Sequence, residues 1–189
     1  MPANPDNGLM AHRRAPSYPV DEHERKRAKI PHELFLGNLI GNHILLFVAT
    51  LGMASHNPVP VMAVPLVSVA CLGYTLWRAR RARRGDAWYV MAHWQTAARL
   101  SRIFIAMLAV LATSAALAWF GYESLGLRKE AALALVGGLG LLPTMVTMLV
   151  LIIIESDLLH QAAHGRLPGW VVRRFPPPEG MALREHPVD

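Results

Sequence analysis

Apolar residues in this chain are gathered into four long blocks, and charged residues are almost confined to the segments between and beyond them. The blocks lie at about Leu34–Ser55, Val59–Trp77, Ala98–Tyr122 and Ala131–Ile154. A helix rises about 1.5 Å per residue, so about 20 residues cross a hydrocarbon core of roughly 30 Å. Solid apolar blocks are typical of membrane burial, whereas a soluble helix shows amphipathic spacing. The sequence therefore predicts an all-α polytopic integral membrane protein with four transmembrane helices.

Positive charge is divided unequally between the two ends of these blocks. Of the 19 Lys and Arg residues, 17 fall in segments on one side, and only Arg128 and Lys129 fall on the other. Because basic connections stay in the cytoplasm, both termini are expected there. The uncharged turn at 55–60 then joins the first two helices into one hairpin, and the segment 123–130 joins the last two into a second hairpin.

The chain divides into three expected regions. A basic N-terminal tail covers residues 1–33, the four-helix transmembrane domain covers 34–164, and a Pro-containing tail covers 165–189. Both tails are expected to be cytoplasmic and mostly irregular, apart from a short helix at 22–29. No signal peptide pattern is present, so the first apolar block is expected to remain as an anchor. The simple charge rule favours a bacterial-type inner membrane.

The basic connection at 78–97 is expected to lie at the membrane surface, with an interfacial helix in its second half. Tryptophan rings favour this boundary, and guanidinium groups reach lipid phosphates. The predicted headgroup ligands are Arg78, Arg80, Arg81, Arg83, Arg84, Trp88 and Trp94. Membrane lipids thus account for the net charge of +6. No nucleic-acid partner is expected, because no nucleic-acid module accompanies the charge.

Small and polar residues in the first apolar block predict a helix-packing interface. Gly37 and Gly41 are four residues apart, as are Asn38 and Asn42, so each pair lies on one helix face. Small residues let another helix approach closely, and Asn side chains hydrogen-bond across such contacts. Together with His43, these residues form the predicted interface, either within the monomer or with another subunit.

His43 lies near mid-membrane, where a polar side chain is costly unless it faces protein. The favoured interpretation is a hydrogen bond within the polar face that Asn38 and Asn42 form. The alternative is a haem ligand. No other predicted span has a histidine in its core, so a second axial ligand would have to be a methionine such as Met107 or a histidine from another subunit.

A possible metal site lies beyond the fourth block, at Asp157, His160 and His164. Each residue of a helix turns about 100°, so the three side chains point within an arc of about 60°. His160 and His164 can chelate one metal ion, but Asp157 and His164 are about 10 Å apart along the axis. A second helix would have to complete the site. The candidates at the same level are His32, Glu33 and His93. The alternative interpretation is a polar helix end at the lipid–water boundary.

The expected function is that of an accessory or structural subunit that packs against itself or a larger inner-membrane complex. No cofactor and no enzyme activity are expected, since no nucleophile or phosphate-loop motif occurs. One rival is a metal- or haem-binding enzyme or redox protein that uses His160, His164 or His43. Another is a small transporter or channel that uses Glu155, which could otherwise pair with Arg99 or Arg102. No charged residue lies deep within a span, so the sequence shows no evident proton relay.

Overall fold

The computed structural model of the protein describes residues 17–53, 56–57 and 59–181. These residues contain no β-strand beyond a single bridge between Ser17 and Arg166. The helices are α1 (Glu22–Leu51), α2 (Val59–Gly85), α3 (Trp88–Leu125), α4 (Lys129–Ala163) and α5 (Gly169–Arg174). The first four are long and apolar enough to cross a membrane. The prediction of an all-helical fold with four long apolar helices is therefore confirmed.

The first helix begins at Glu22, well before the start of the first apolar block. The Asp21 carboxylate caps it by accepting a hydrogen bond of 2.6 Å from the backbone N–H of Glu24. The helix then passes through Pro31, which removes one backbone hydrogen bond. Burial of Ala28 and Phe35 on the same side of the helix offsets that loss. The basic stretch before the apolar block is therefore part of the bundle.

The basic connection between the second and third blocks is also helical. Helix α2 runs through the arginines to Gly85, and α3 begins at Trp88, so the two helices meet at a tight turn. Ala79 and Ala82 face the first turns of α3, where they pack with Val90, Trp94 and Ala98. These small side chains let the two helix ends approach closely. The segment expected at the membrane surface thus forms the paired ends of α2 and α3.

An ion-pair cluster at this turn joins three parts of the chain. The Asp86 carboxylate binds the guanidinium of Arg78 at 2.7 Å, and it also binds that of Arg27 from α1. The side chain of Asp86 is largely buried, at 7% exposure. The cluster therefore fixes α1 against the turn between α2 and α3.

Two stretches of the long helices have π-helical geometry. They are Gly37–Leu46 in α1 and Val136–Leu141 in α4. The second ends two residues before Pro143, whose ring removes one backbone hydrogen bond. A π-helix bonds residue i to i+5 and has a wider turn than an α-helix, so it changes which residues share a face.

The best-packed part of the bundle is the end that carries the arginines of α2, which we call the basic end. Helix α3 contacts α1, α2 and α4, and α1 contacts α2, α3 and α4. One cluster of buried residues contains Phe35, Leu39, Leu72, Leu100, Phe104, Leu151 and Leu158. By contrast, only 17–28% of the most apolar stretch of each long helix is buried within the chain. So large an apolar surface needs an apolar surrounding.

The segment after α4 folds back over the basic end. The backbone N–H of Tyr18 donates to the carbonyl oxygen of Gly165 at 2.8 Å, and Trp88 Nε1–H donates to the carbonyl oxygen of Phe175 at 3.1 Å. Leu167 and Val171 are fully buried in this region. The first part of the predicted C-terminal tail is therefore ordered. Residues 1–16 and 182–189 lie outside the described residues.

Candidate functional site: a buried glutamate–histidine–histidine network

Three ionisable side chains from three helices meet at the basic end. They are His32 of α1, His93 of α3 and Glu155 of α4, and each is 0% exposed. His32 Nδ1 lies 2.5 Å from Glu155 Oε2, and His32 Nε2 lies 2.8 Å from His93 Nδ1. The three side chains therefore form one continuous hydrogen-bonded chain, with His32 in the middle.

Each member of the network occupies a core position of its helix. The residues four before and three or four after it are buried, which is the spacing of an inward-facing helix stripe. For His32 these neighbours are Ala28 and Phe35, for His93 they are Tyr89 and Ala97, and for Glu155 they are Leu151 and Leu158. The sequence thus places polar groups where apolar residues would ordinarily complete the core.

The order of donors and acceptors in the network depends on one proton. Glu155 as a carboxylate can only accept, so His32 donates from Nδ1. Without a further proton, His32 Nε2 accepts from His93 Nδ1–H, and His93 Nε2 carries a bare lone pair. When a proton is added at His93 Nε2, the proton on His93 Nδ1 can move to His32 Nε2. His32 then donates hydrogen bonds from both of its ring nitrogens. One proton bound at His93 is thereby delivered beside Glu155.

Two polar atoms at the ends of this chain have no hydrogen-bond partner among the described residues. They are His93 Nε2 and Glu155 Oε1, and both are buried. The carbonyl oxygen of Arg166 faces the His93 ring, but the contact does not reach hydrogen-bond geometry. The Tyr89 ring packs edge-on against His93, with ring centroids 4.7 Å apart. Unpaired buried polar atoms are rare and call for a functional or solvent explanation.

A second group of buried polar side chains lies further along α1, at its contact with α2. Asn42 Nδ2 donates to the carbonyl oxygen of Val64 at 2.8 Å and to Asn38 Oδ1 at 3.1 Å. Asn42 Oδ1 is a further buried atom without a partner. We call this row the polar seam. Its buried members are Asn38, Asn42 and Thr50 of α1 and Ser68 and Thr75 of α2.

The structure separates the glycines of the predicted packing interface from the asparagines. Asn38 and Asn42 face α2, whereas a Cβ atom placed at Gly37 or Gly41 would meet no atom within 4 Å. His43 Nδ1 bonds to the carbonyl oxygen of Asn38 at 2.9 Å. The asparagines therefore pack within the monomer, and the glycines face outward.

The residues of the predicted metal site lie on the exposed side of α4. Asp157 Oδ2 accepts from Gln161 Nε2 at 2.6 Å, and His164 Nδ1 bonds to the carbonyl oxygen of His160 at 2.8 Å. The rings of His160 and His164 lie 4.3 Å apart. Within the described ranges, no three His, Cys, Asp or Glu side chains form a group suited to a metal ion. A metal or haem site therefore stays a prediction.

Three of the seven predicted headgroup ligands have partners inside the chain. Arg78 pairs with Asp86, and its guanidinium lies 5.1 Å above the Trp94 ring. Trp94 is only 2% exposed, because the helix that carries it turns this side toward α2. Trp88 is half-buried and bonds to Phe175. Lipid contact stays a prediction for the exposed arginines, which are Arg80, Arg81, Arg83 and Arg84.

Sequence reasoning named Glu155 for a possible transport role and the two histidines for a possible metal site, and it did not join the three residues. Glu155 was expected beside Arg99 or Arg102, whereas the structure pairs it with His32. His32 and His93 were only possible additions to the metal site on α4. The signal that was available is the spacing of buried neighbours around each of the three residues.

The fold and the site define a class: a bundle with four helices long and apolar enough to span a membrane, as in a multi-pass membrane protein, with an ionisable network at one end. Comparison with known protein families, curated proteins and solved structures gave no significant match. The function must therefore be argued from the geometry of the site.

Proposed function

We propose that this protein is a small multi-pass transporter of a bacterial-type inner membrane that moves protons through the His93–His32–Glu155 network. The observation that carries the proposal is the unbroken chain of three fully buried ionisable side chains on three helices. Ionisable residues that face the interior of a membrane bundle commonly mark ion pathways and proton relays. Both termini and the basic end lie in the cytoplasm in this proposal, because basic segments are retained there.

The level of the network fits a proton-loading site at the cytoplasmic boundary. His32 precedes the first apolar block by two residues, Glu155 directly follows the fourth, and His93 comes five residues before the third. Five residues of helix correspond to roughly 8 Å. The network therefore lies at the cytoplasmic edge of the hydrocarbon core, where protons can reach it from the cytoplasm.

The polar seam supplies the continuation of the path through the membrane. From His32 to Thr50, α1 rises by at most about 27 Å, because its π-helical stretch is shorter than an α-helix of the same number of residues. This distance covers most of the hydrocarbon core. Asn42 Oδ1, Glu155 Oε1 and His93 Nε2 are buried atoms with free hydrogen-bonding capacity. The proposal requires bound waters to join these atoms into one path, and each atom supplies one of the polar partners that a buried water needs.

Proton flux in reconstituted vesicles tests the proposal. The full chain is placed in liposomes that contain a pH-sensitive dye, and a pH difference is imposed while valinomycin and potassium balance the charge. We expect the wild type to collapse the gradient faster than protein-free liposomes, and Glu155→Gln to fall to the protein-free rate. The matched control is Asp157→Asn, because Asp157 is an exposed carboxylate on the same helix. It should keep wild-type flux.

A folding check keeps this test decisive. Glu155→Gln retains an oxygen that accepts from His32, so the variant should still be folded, as thermal melting in detergent would show. His93→Gln provides a second block at the other end of the network. A wild type no faster than empty liposomes, or a folded Glu155→Gln with wild-type flux, would overturn the proposal.

A second candidate function, the accessory subunit, is favoured by a separate observation. The glycines of α1 face outward with open space around them, so the close approach they permit is available to another chain. A mild-detergent pull-down with identification of the co-purified proteins tests it. Gly41→Leu should abolish a specific partner, whereas Gly73→Leu, at an equally open position on α2, should not. Identical co-purification by both variants would remove this candidate.

A further inference from the structure

We propose that Arg99 and Arg102 of α3, together with Trp170 of α5, form a binding site for the phosphate of an anionic phospholipid. The two arginines are three residues apart, so they are neighbours on one helix face. Both are exposed, and no carboxylate among the described residues forms an ion pair with either of them. Glu155, which the sequence suggested as a partner for Arg99 or Arg102, contacts His32 instead.

The position of these arginines favours an anionic partner. They lie at the start of the third apolar block, and the large side chains of Ile103 and Ile105 directly beyond them are exposed. A guanidinium in this setting sits beside lipid chains and reaches toward the headgroups. Two positive charges on adjacent turns also repel each other. A phosphate between them removes the repulsion and accepts hydrogen bonds from both guanidinium groups.

Trp170 holds the first arginine in place. The Arg99 guanidinium lies 5.9 Å from the centre of the Trp170 ring. Trp170 itself packs against the cluster that contains Phe35 and against a second cluster that contains Tyr89 and Leu167. Its neighbour Val171 is fully buried. The ring is therefore fixed by the fold, so Arg99 is oriented before a ligand binds. An oriented donor loses less side-chain entropy on binding.

The same arrangement occurs elsewhere in the protein with its anion present. Arg78 lies over the ring of Trp94 and binds the Asp86 carboxylate at 2.7 Å. Arg99 lies over Trp170 as Arg78 lies over Trp94, but no carboxylate among the described residues pairs with Arg99. The comparison points to an anion supplied from outside the chain, and the position beside exposed isoleucines points to a lipid.

Native mass spectrometry of the full chain with defined lipids tests the site. We expect the wild type to retain phosphatidylglycerol in preference to phosphatidylcholine. Arg99→Gln with Arg102→Gln should weaken phosphatidylglycerol retention by about tenfold or more, because it removes the charge-assisted contacts of both guanidinium groups with the phosphate. The matched control is Arg128→Gln with Lys129→Gln, which removes two exposed positive charges at the other end of the bundle and should leave retention unchanged.

The outcomes separate this site from a general effect of charge. Equal loss in the control pair, or equal retention of phosphatidylcholine, would overturn the proposal. Displacement of the lipid by millimolar inorganic phosphate would show a soluble-anion site and would overturn the lipid assignment. If the double variant fails to fold, Arg102→Gln alone gives the same comparison, because no described contact of its side chain within the protein is lost. This test is independent of proton flux.

Discussion

Helices α3 and α4 lie close together at Gly140, and this contact gives a sharp test of how the bundle packs. A Cβ atom at this position would overlap Ser114 Oγ and would lie 3.0 Å from Leu111 Cδ1 and 3.3 Å from Ser114 Cβ. Ordinary carbon–carbon contacts are about 3.5–4.0 Å, so the two helices must separate or the Ser114 side chain must rotate. Rotation breaks the bond of 2.8 Å from Ser114 Oγ–H to the carbonyl oxygen of Leu111.

The size of the effect follows from a matched comparison with Gly138. Both glycines lie in the same π-helical stretch, but a Cβ at Gly138 meets no atom within 4 Å. Both Ala substitutions gain about the same helix propensity, up to roughly 1 kcal/mol. Overpacking costs a further 1–3 kcal/mol or so at Gly140 alone. We therefore expect Gly140→Ala to melt about 2–12 °C below Gly138→Ala, at about 2–4 °C per kcal/mol.

Thermal unfolding in a mild detergent, followed by circular dichroism, measures this difference. Adding Ser114→Gly to Gly140→Ala removes both atoms of the serine side chain that crowd the new methyl group, and it should recover part of the loss. If Gly140→Ala and Gly138→Ala melt together, the close contact between α3 and α4 is not present in the folded protein, and the packing derived from it is wrong.

Three further substitutions test other contacts by the same melting assay. Asp86→Asn should lower the free energy of unfolding by about 1–3 kcal/mol, because it leaves two arginines without their carboxylate. The control is Glu33→Gln, in an exposed pair with Lys29, which should change it by less than about 0.5 kcal/mol. Asn42→Leu should cost about 1–3 kcal/mol, since it removes the donor to the Val64 carbonyl oxygen, and a neutral result would count against the polar seam. Glu155→Gln should cost a similar 1–3 kcal/mol or so while the chain stays folded; melting indistinguishable from Asp157→Asn would show that the buried carboxylate makes no charge-assisted bond.

The four long helices could be predicted because their signal is a bulk property of about 20 residues at a time. The ends of those helices could not be predicted in the same way. Charged residues mark the end of an apolar block, but they do not end a helix, since Arg, Lys and Glu are good helix formers. Helix α1 therefore starts at the Asp21 cap, and α2 continues through the arginine run until Gly85.

The faces of α1 show a second limit of sequence reasoning. Gly37 and Gly41 were assigned to the packing interface with Asn38 and Asn42 by assuming α-helical spacing. The segment is π-helical from Gly37 to Leu46, so residue i bonds to i+5 and the angular position of each side chain shifts. The contact of His43 with the carbonyl oxygen of Asn38, five residues earlier, is a product of that geometry. No simple pattern in the sequence announces a π-helix of this length.

The network was hidden for a different reason: its bonds join residues 123 and 61 positions apart. Its two unpaired atoms are also the strongest argument against a purely structural role. A buried polar network that only fixes helix positions gains most when every member is satisfied, because each unpaired group costs stability in a low-dielectric interior. Leucine or phenylalanine at the same positions would fill the core without that cost, and such replacements of buried ion pairs are often neutral or stabilising. His93 Nε2 and Glu155 Oε1 are, however, the unpaired atoms at the two ends of the network, where a proton relay would accept and release its proton. The feature that weakens the network as a structural element is therefore the one that a proton path requires.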